Sequence, residues 1–257
     1  MPKFTKPVIL SILYLLALPV SGASYDVIKV KDGGTIKVTV TYQGVVPKNE
    51  IIRISEDLDF CGSTQETVVY QVDKSKVKNA VVWLDGIEKG KDTIISTVNV
   101  AIDKCRVKSR VSVGFVGGSF IFYNSDEILH TVQMKMRLAY QKDVSDRPLE
   151  EGATIYNIAL PMKGVAIRKP IKRWHRISRY TGYIRVRSNT HPWMSGYVFV
   201  FDHPYAGVTD KKGTLKLHDI PPGEYLLKVW HEGFGVKERK VKVGPDQVLK
   251  TKISFGD

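Results

Sequence analysis

The chain has 257 residues, 43% of them apolar and 25% charged, with a net charge of +13. This composition excludes a disordered or low-complexity chain and suffices for one large domain or two modest ones. The basic excess suits an acidic partner or an anionic surface, or serves only as a solvated basic face, and no recognition-module signature directs it to nucleic acid.

At the N-terminus, Lys3 and Lys6 precede the apolar run 8–19, and the small residues Ser21, Gly22 and Ala23 follow. A positive end, a short apolar core and small residues at the cut predict a secretory signal over residues 1–23. The run is too short for an ordinary membrane span. The mature chain is therefore expected in the periplasm or outside the cell. In an oxidising compartment Cys61 and Cys105 are most simply one disulfide, contributing roughly 2–5 kcal/mol by closing a long loop. No local C-x-x-C spacing supports a metal or redox pair.

From Tyr25 onward the sequence reads as strands. In GTIKVTVTY (34–42), Ile36, Val38 and Val40 fall on one face and Thr35, Lys37, Thr39 and Thr41 on the other. TVVYQV (67–72), AVVWLDGI, STVNVAI, SFIFYNSD, LHTVQMKM, ATIYNIAL, GYIRVRS and GYVFVFD follow, with Gly, Asn, Asp and Pro between them. β-Branched and aromatic runs separated by short turns predict an all-β sandwich or barrel. A short helical turn is expected at 143–151. A second small unit is expected over residues 202–257, opening with DHPY and running through GTLKLHDIPPGEYLLKVWHEG, with no flexible linker at the join.

The stretch SNTHPWM (188–194) places a histidine and a methionine three residues apart in a short loop after a strand. That is the spacing of a metal-binding loop, with Ser188 where a cysteine would stand. Alternation in GYIRVRS puts Ile184, Val186 and Ser188 on one face and Arg185 and Arg187 on the other. His130, in YNSDEILHTVQ, is the distant partner that a sandwich could bring to the same end. His203 in DHPY and His231 in WHEG are expected to brace turns, and His175 and His218 to face solvent.

Residues 152–201 contain no acidic side chain. Lys169, Lys172, Arg173, Arg176 and Arg179, around Trp174, form a candidate contact face. It would suit an acidic redox or envelope protein, or an anionic membrane or polysaccharide surface.

SFIFYNSDEILHTVQM and GYIRVRSNTHPWMSGYVFVFDHPY resemble the two ligand segments of cupredoxins, nearest to the amicyanin and plastocyanin-like exported proteins of the methylamine-utilisation type. The tail from DHPY to WHEG resembles the carboxypeptidase regulatory-like module, a transthyretin-like sandwich with carbohydrate-binding fold relatives. The resemblance implies a Greek-key cupredoxin domain over 24–201 and the regulatory-like domain over 202–257. It also implies a copper site of His130, a cysteine, His191 and Met194, with electron transfer as its chemistry. Ser188 stands at the cysteine position, and Ser109 and Arg110 stand where the group often carries a proline-histidine pair.

A blue copper centre needs the thiolate, so a His–His–Met set is expected to hold Cu(I) instead. The competing reading is a metal-free adhesion or interaction scaffold using the basic face, with blue-site electron transfer third. No G-x-S-x-G elbow, phosphate-binding loop or H-E-x-x-H is present, and no enzyme activity is expected.

Overall fold

The structure is a computed structural model that describes residues 25–137, 151–174 and 182–256. The signal segment 1–23, His175, Arg176, Arg179 and all of the expected helical turn except its last residue lie outside these residues. Glu151 itself begins the strand Glu151–Leu160. The all-β expectation holds. Among the described residues the one helix is the single turn Leu58–Cys61, and no helix is long and apolar enough to cross a membrane.

Two sandwiches make up the molecule. In the first, Arg106–Val107, Thr97–Asp103, Ser119–Asn124 and Ala166–Pro170 form one sheet in that order. Val111–Phe115, Ser195–Phe201, Tyr183–Arg187, His130–Arg137 and Glu151–Leu160 form the other. Each contains one parallel pair, Thr97–Asp103 with Ser119–Asn124 and Val111–Phe115 with Ser195–Phe201. Their inner faces supply the core: Phe120, Phe122, Met134, Leu160, Ile184 and Val186 are essentially without exposure. Ile184 and Val186 point in while Arg185 and Arg187 do not, as the alternation predicts.

The second sandwich draws on both ends of the chain. One sheet runs Ala206–Val208, Val81–Asp85, Gly223–His231, Gly235–Val243. In the other, Gly34–Tyr42 lies between Thr214–Ile220, antiparallel, and Val248–Phe255, parallel. The alternating side chains of Gly34–Tyr42 place Ile36, Val38 and Val40 in a core with Leu84, Leu227, Val229 and Phe255. The division between sandwiches therefore does not fall at residue 201/202. Gly34–Tyr42 and Val81–Asp85, expected in the N-terminal unit, are the strands that complete the small C-terminal core. Without them, the remaining segment of about 55 residues would have only a small, marginal core.

TVVYQV also departs from expectation. Thr67–Gln71 carries β-branched residues but forms no ladder, and only Val72 enters a strand. Its backbone is held by Glu50 O and by the Asn49 side chain.

The sandwiches meet through rings. Trp83, Phe199 and Phe201 are buried between them, with Trp230 4.9 Å from Phe199 and 5.1 Å from Tyr197. Beside this cluster the Arg110 guanidinium donates to both carboxylate oxygens of Glu232 at 2.6 and 2.7 Å, and to Ser195 Oγ at 3.1 Å. The Glu232 side chain is 3% exposed, so this planar, bidentate pair fixes one sandwich against the other. Arg110 is thus a clamp between the two sandwiches.

Candidate metal centre

Strand pairing brings the two distant segments together. His130 opens the strand His130–Arg137, which pairs with Tyr183–Arg187. The loop from Ser188 to Met194 leaves the far end of Tyr183–Arg187 and returns as Ser195–Phe201. Both histidines are fully buried and their Nδ1 atoms lie 3.0 Å apart, with ring centroids at 4.6 Å.

Each outer nitrogen is tied to a carboxylate. His130 Nε2 donates to Asp126 Oδ2 at 2.8 Å, and His191 Nε2 donates to Asp57 Oδ2 at 2.7 Å. A carboxylate can only accept, so the Nε2 positions carry the protons and both Nδ1 lone pairs turn inward. Burial pushes the His130 pKa below its ordinary value, the Asp126 hydrogen bond opposing that shift and the neighbouring His191 adding to it. Thr190 Oγ1 lies 3.1 Å from His191 Nδ1 and can donate to it. The second inward lone pair still calls for a proton or a cation.

Asp126 is itself firmly placed. Its Oδ1 accepts from Lys104 N–H at 2.7 Å, its Oδ2 from Cys105 N–H at 2.9 Å, and its own N–H donates to Asn124 Oδ1. Asp57 is placed differently. It precedes the turn Leu58–Cys61 at the N-cap, where aspartate normally accepts a hydrogen bond from the helix. Here its side chain makes no cap bond, and its backbone sits in the left-handed region at φ 48°. The carboxylate is turned to His191 instead, at the expense of a backbone conformation that costs a non-glycine residue on the order of 1 kcal/mol or more.

Ser188 is 5% exposed and faces the core end of the sandwich, as expected. Its Oγ accepts from His191 N–H at 3.1 Å and meets Thr131 Oγ1 and Thr190 Oγ1 at 3.2 and 3.1 Å. The hydroxyl therefore shapes the loop through three hydrogen-bonded contacts. Met194 is buried, 2% exposed, within the core of the first sandwich, and its N–H closes the loop on His191 O.

Cys61 and Cys105 form the expected disulfide. Cys105, Asp126 and His130 lie close enough to share an ion, but the Cys105 sulfur is already bonded to Cys61. Trp193 Nε1 donates to Cys105 O at 3.2 Å, joining the loop to the disulfide segment.

The basic face is partly neutralised. Arg173 pairs with Asp202 at 3.1 Å and Lys163 with Glu127 at 2.8 Å. Lys169, half-buried, lies on the edge strand Ala166–Pro170, and Lys172, exposed, lies just beyond it. The sequence reading missed Asp57, Asp126, Thr131 and Thr190. Asp126 stands four residues before His130, a spacing that could have flagged it; Asp57 has no such sign.

No family model matches the sequence, and no curated protein matches it. Among solved structures, a reduced Cu(I) form of amicyanin aligns with 42% of this chain and 86% of its own, at 16% identity and a TM-score of 0.25. A copper-containing nitrite reductase from Thermus scotoductus aligns with 42% of this chain and 23% of its own, at 16% identity and a TM-score of 0.26. Similarity at this level leaves the function to the site itself.

Proposed function

We propose that this is an exported, non-catalytic, cupredoxin-like protein that holds Cu(I) through His130 and His191, with Met194 as the thioether of the same loop. The observation that carries the reading is the pair of buried Nδ1 atoms 3.0 Å apart, each on a ring whose Nε2 is tied to a carboxylate. Two imidazole nitrogens at that separation can both reach one ion, since metal–nitrogen bonds run about 2.0–2.1 Å. The outer carboxylates fix ring orientation and raise ligand basicity. Imidazole and thioether without thiolate suit Cu(I) storage or transfer better than fast electron transfer.

The chain's own residues supply the rest. Asp126 and Asp57 hold the rings, the Ser188–Thr131–Thr190 hydroxyls set the loop, and burial excludes water. The Arg173–Asp202 pair leaves less free charge for docking an acidic partner than the sequence suggests. A second reading, a metal-free scaffold using the basic face, is favoured by the Thr190 hydroxyl, which can fill the His191 Nδ1 lone pair without an ion.

Loading the mature chain with Cu(I) under an inert atmosphere separates the two. Retention of one equivalent after desalting, lost in His191→Ala, supports the copper reading. A wild-type chain that retains none removes it.

A further inference from the structure

The hairpin that carries Asp57 is an arm that joins the ladder of neither sandwich and rests on the first through the buried Ile54 and Gln65. Ile51–Arg53 and Thr64–Glu66 pair only with each other among the described residues. A lone two-stranded hairpin is marginal in water and needs attachment to hold its place. Its turn Leu58–Cys61 buries no side chain, and Leu58 and Phe60 are 51% and 43% exposed. Besides the burial of Ile54 and Gln65, four attachments to the body are seen among the described residues. Arg106 Nη1 donates to Glu66 O, Gln65 Nε2 makes a 3.5 Å contact to Lys104 O, Asp57 reaches His191, and Cys61 is bonded to Cys105.

The covalent attachment falls at a telling place. Cys105 N–H donates to Asp126, the carboxylate on His130, while Cys61 ends the turn begun by Asp57, the carboxylate on His191. One bond thus joins the two segments that hold the two outer nitrogens. His191 has no exposure, whereas the Asp57 side chain above it is 48% exposed, so the arm lies between the ring and solvent.

We propose that the arm, residues 50–67, is a gate over the histidine pair, latched by the Cys61–Cys105 disulfide and released by a dithiol reductant. Release breaks the S–S bond with two electrons and two protons from the dithiol. Cys61 and Cys105 become thiols, and the reductant leaves as its own disulfide. The arm then keeps only its side-chain contacts, and Asp57 swings off His191, opening a path to both inward nitrogens. This inference rests on the pair being a site that takes a ligand. Its test contains no metal, so its failure and a failure of copper loading are separate results.

The full mature chain, oxidised or reduced with dithiothreitol, is treated with diethyl pyrocarbonate, and each histidine is followed by peptide mass spectrometry. His218, exposed, should react quickly in both states; His203 and His231, buried in the other sandwich, should react slowly in both. His191 and His130 should react about tenfold faster or more once the bond is reduced, as local opening requires. The Cys61→Ser, Cys105→Ser double variant should behave as the reduced chain without any reductant. Unchanged rates at His130 and His191 would overturn the gate. A parallel rise at His203 and His231 would overturn it too, because the bond would then be a staple of the whole fold.

Discussion

Each sandwich buries two histidines, and the two pairs are treated in opposite ways. In the second sandwich, His203 Nδ1 accepts the N–H of Tyr205 and His231 Nδ1 accepts the N–H of Gly233, each two residues on in the chain. His231 stacks on Phe234 at 4.4 Å, and His203 sits among Tyr25, Phe201 and Tyr205. No carboxylate binds either ring among the described contacts, and burial pushes both pKa values down to about 4. In the first sandwich, the same residue type receives carboxylates on the outside and faces its twin on the inside. Burial alone makes a histidine a neutral brace of a turn. Burial with the outer proton fixed by aspartate leaves an inward lone pair free to meet a cation, which is what the proposed copper reading requires.

The largest effect should come from separating the two regions. Arg110→Ala leaves the Glu232 carboxylate buried without its partner, and stability should fall by roughly 3–5 kcal/mol. Adding Glu232→Gln should recover part of that loss. Urea melts that stay single and cooperative would show that the sandwiches unfold as a unit; a split transition would show that the ring contacts do not couple them without the clamp.

Acid should act next, and on the second sandwich first. His203 and His231 bind protons in the unfolded chain near pH 6.5 but in the folded one only near pH 4. Their contribution is complete above about pH 6.5 and is lost as the pH falls from there toward 4, by at most about 3 kcal/mol each. His231→Phe should flatten the pH dependence of the urea midpoint across that window. A slope unchanged by the substitution would refute the assignment.

A smaller effect distinguishes the first pair. Asp57→Asn should weaken Cu(I) binding by about 10–100-fold, the usual cost of losing a partner behind a ligand, with little change in stability. His203→Asn should leave Cu(I) affinity unchanged. Equal losses from the two substitutions would erase the distinction between the pairs.

Much of the scaffold could be read in the residues. Period-two alternation set the inward faces of Gly34–Tyr42 and Tyr183–Arg187, and the cysteine pair and the approach of His130 to His191 followed from simple reasoning about compartment and topology. Strand partnership could not be read. Nothing in GTIKVTVTY says that it will lie against Val248–Phe255, more than two hundred residues away, because alternation fixes the face and not the neighbour. Asp57 was hidden for a related reason. Its role comes from a strained turn and a disulfide that bring it over a loop far along the chain, whereas Asp126 stands next to its histidine and could have been suspected. The basic run looked freer than it is, since Asp202 and Glu127 approach Arg173 and Lys163 from outside the acid-free stretch.

The account depends most on two inward nitrogens taking one cation together. Long-range proton–nitrogen NMR of the ¹⁵N-labelled chain, titrated with diamagnetic Cu(I), reads those nitrogens directly. The Nδ1 signals of His130 and His191 should shift in step and saturate at one equivalent, while those of His203 and His231 stay fixed. Movement of one Nδ1 without the other, or of neither, would contradict it.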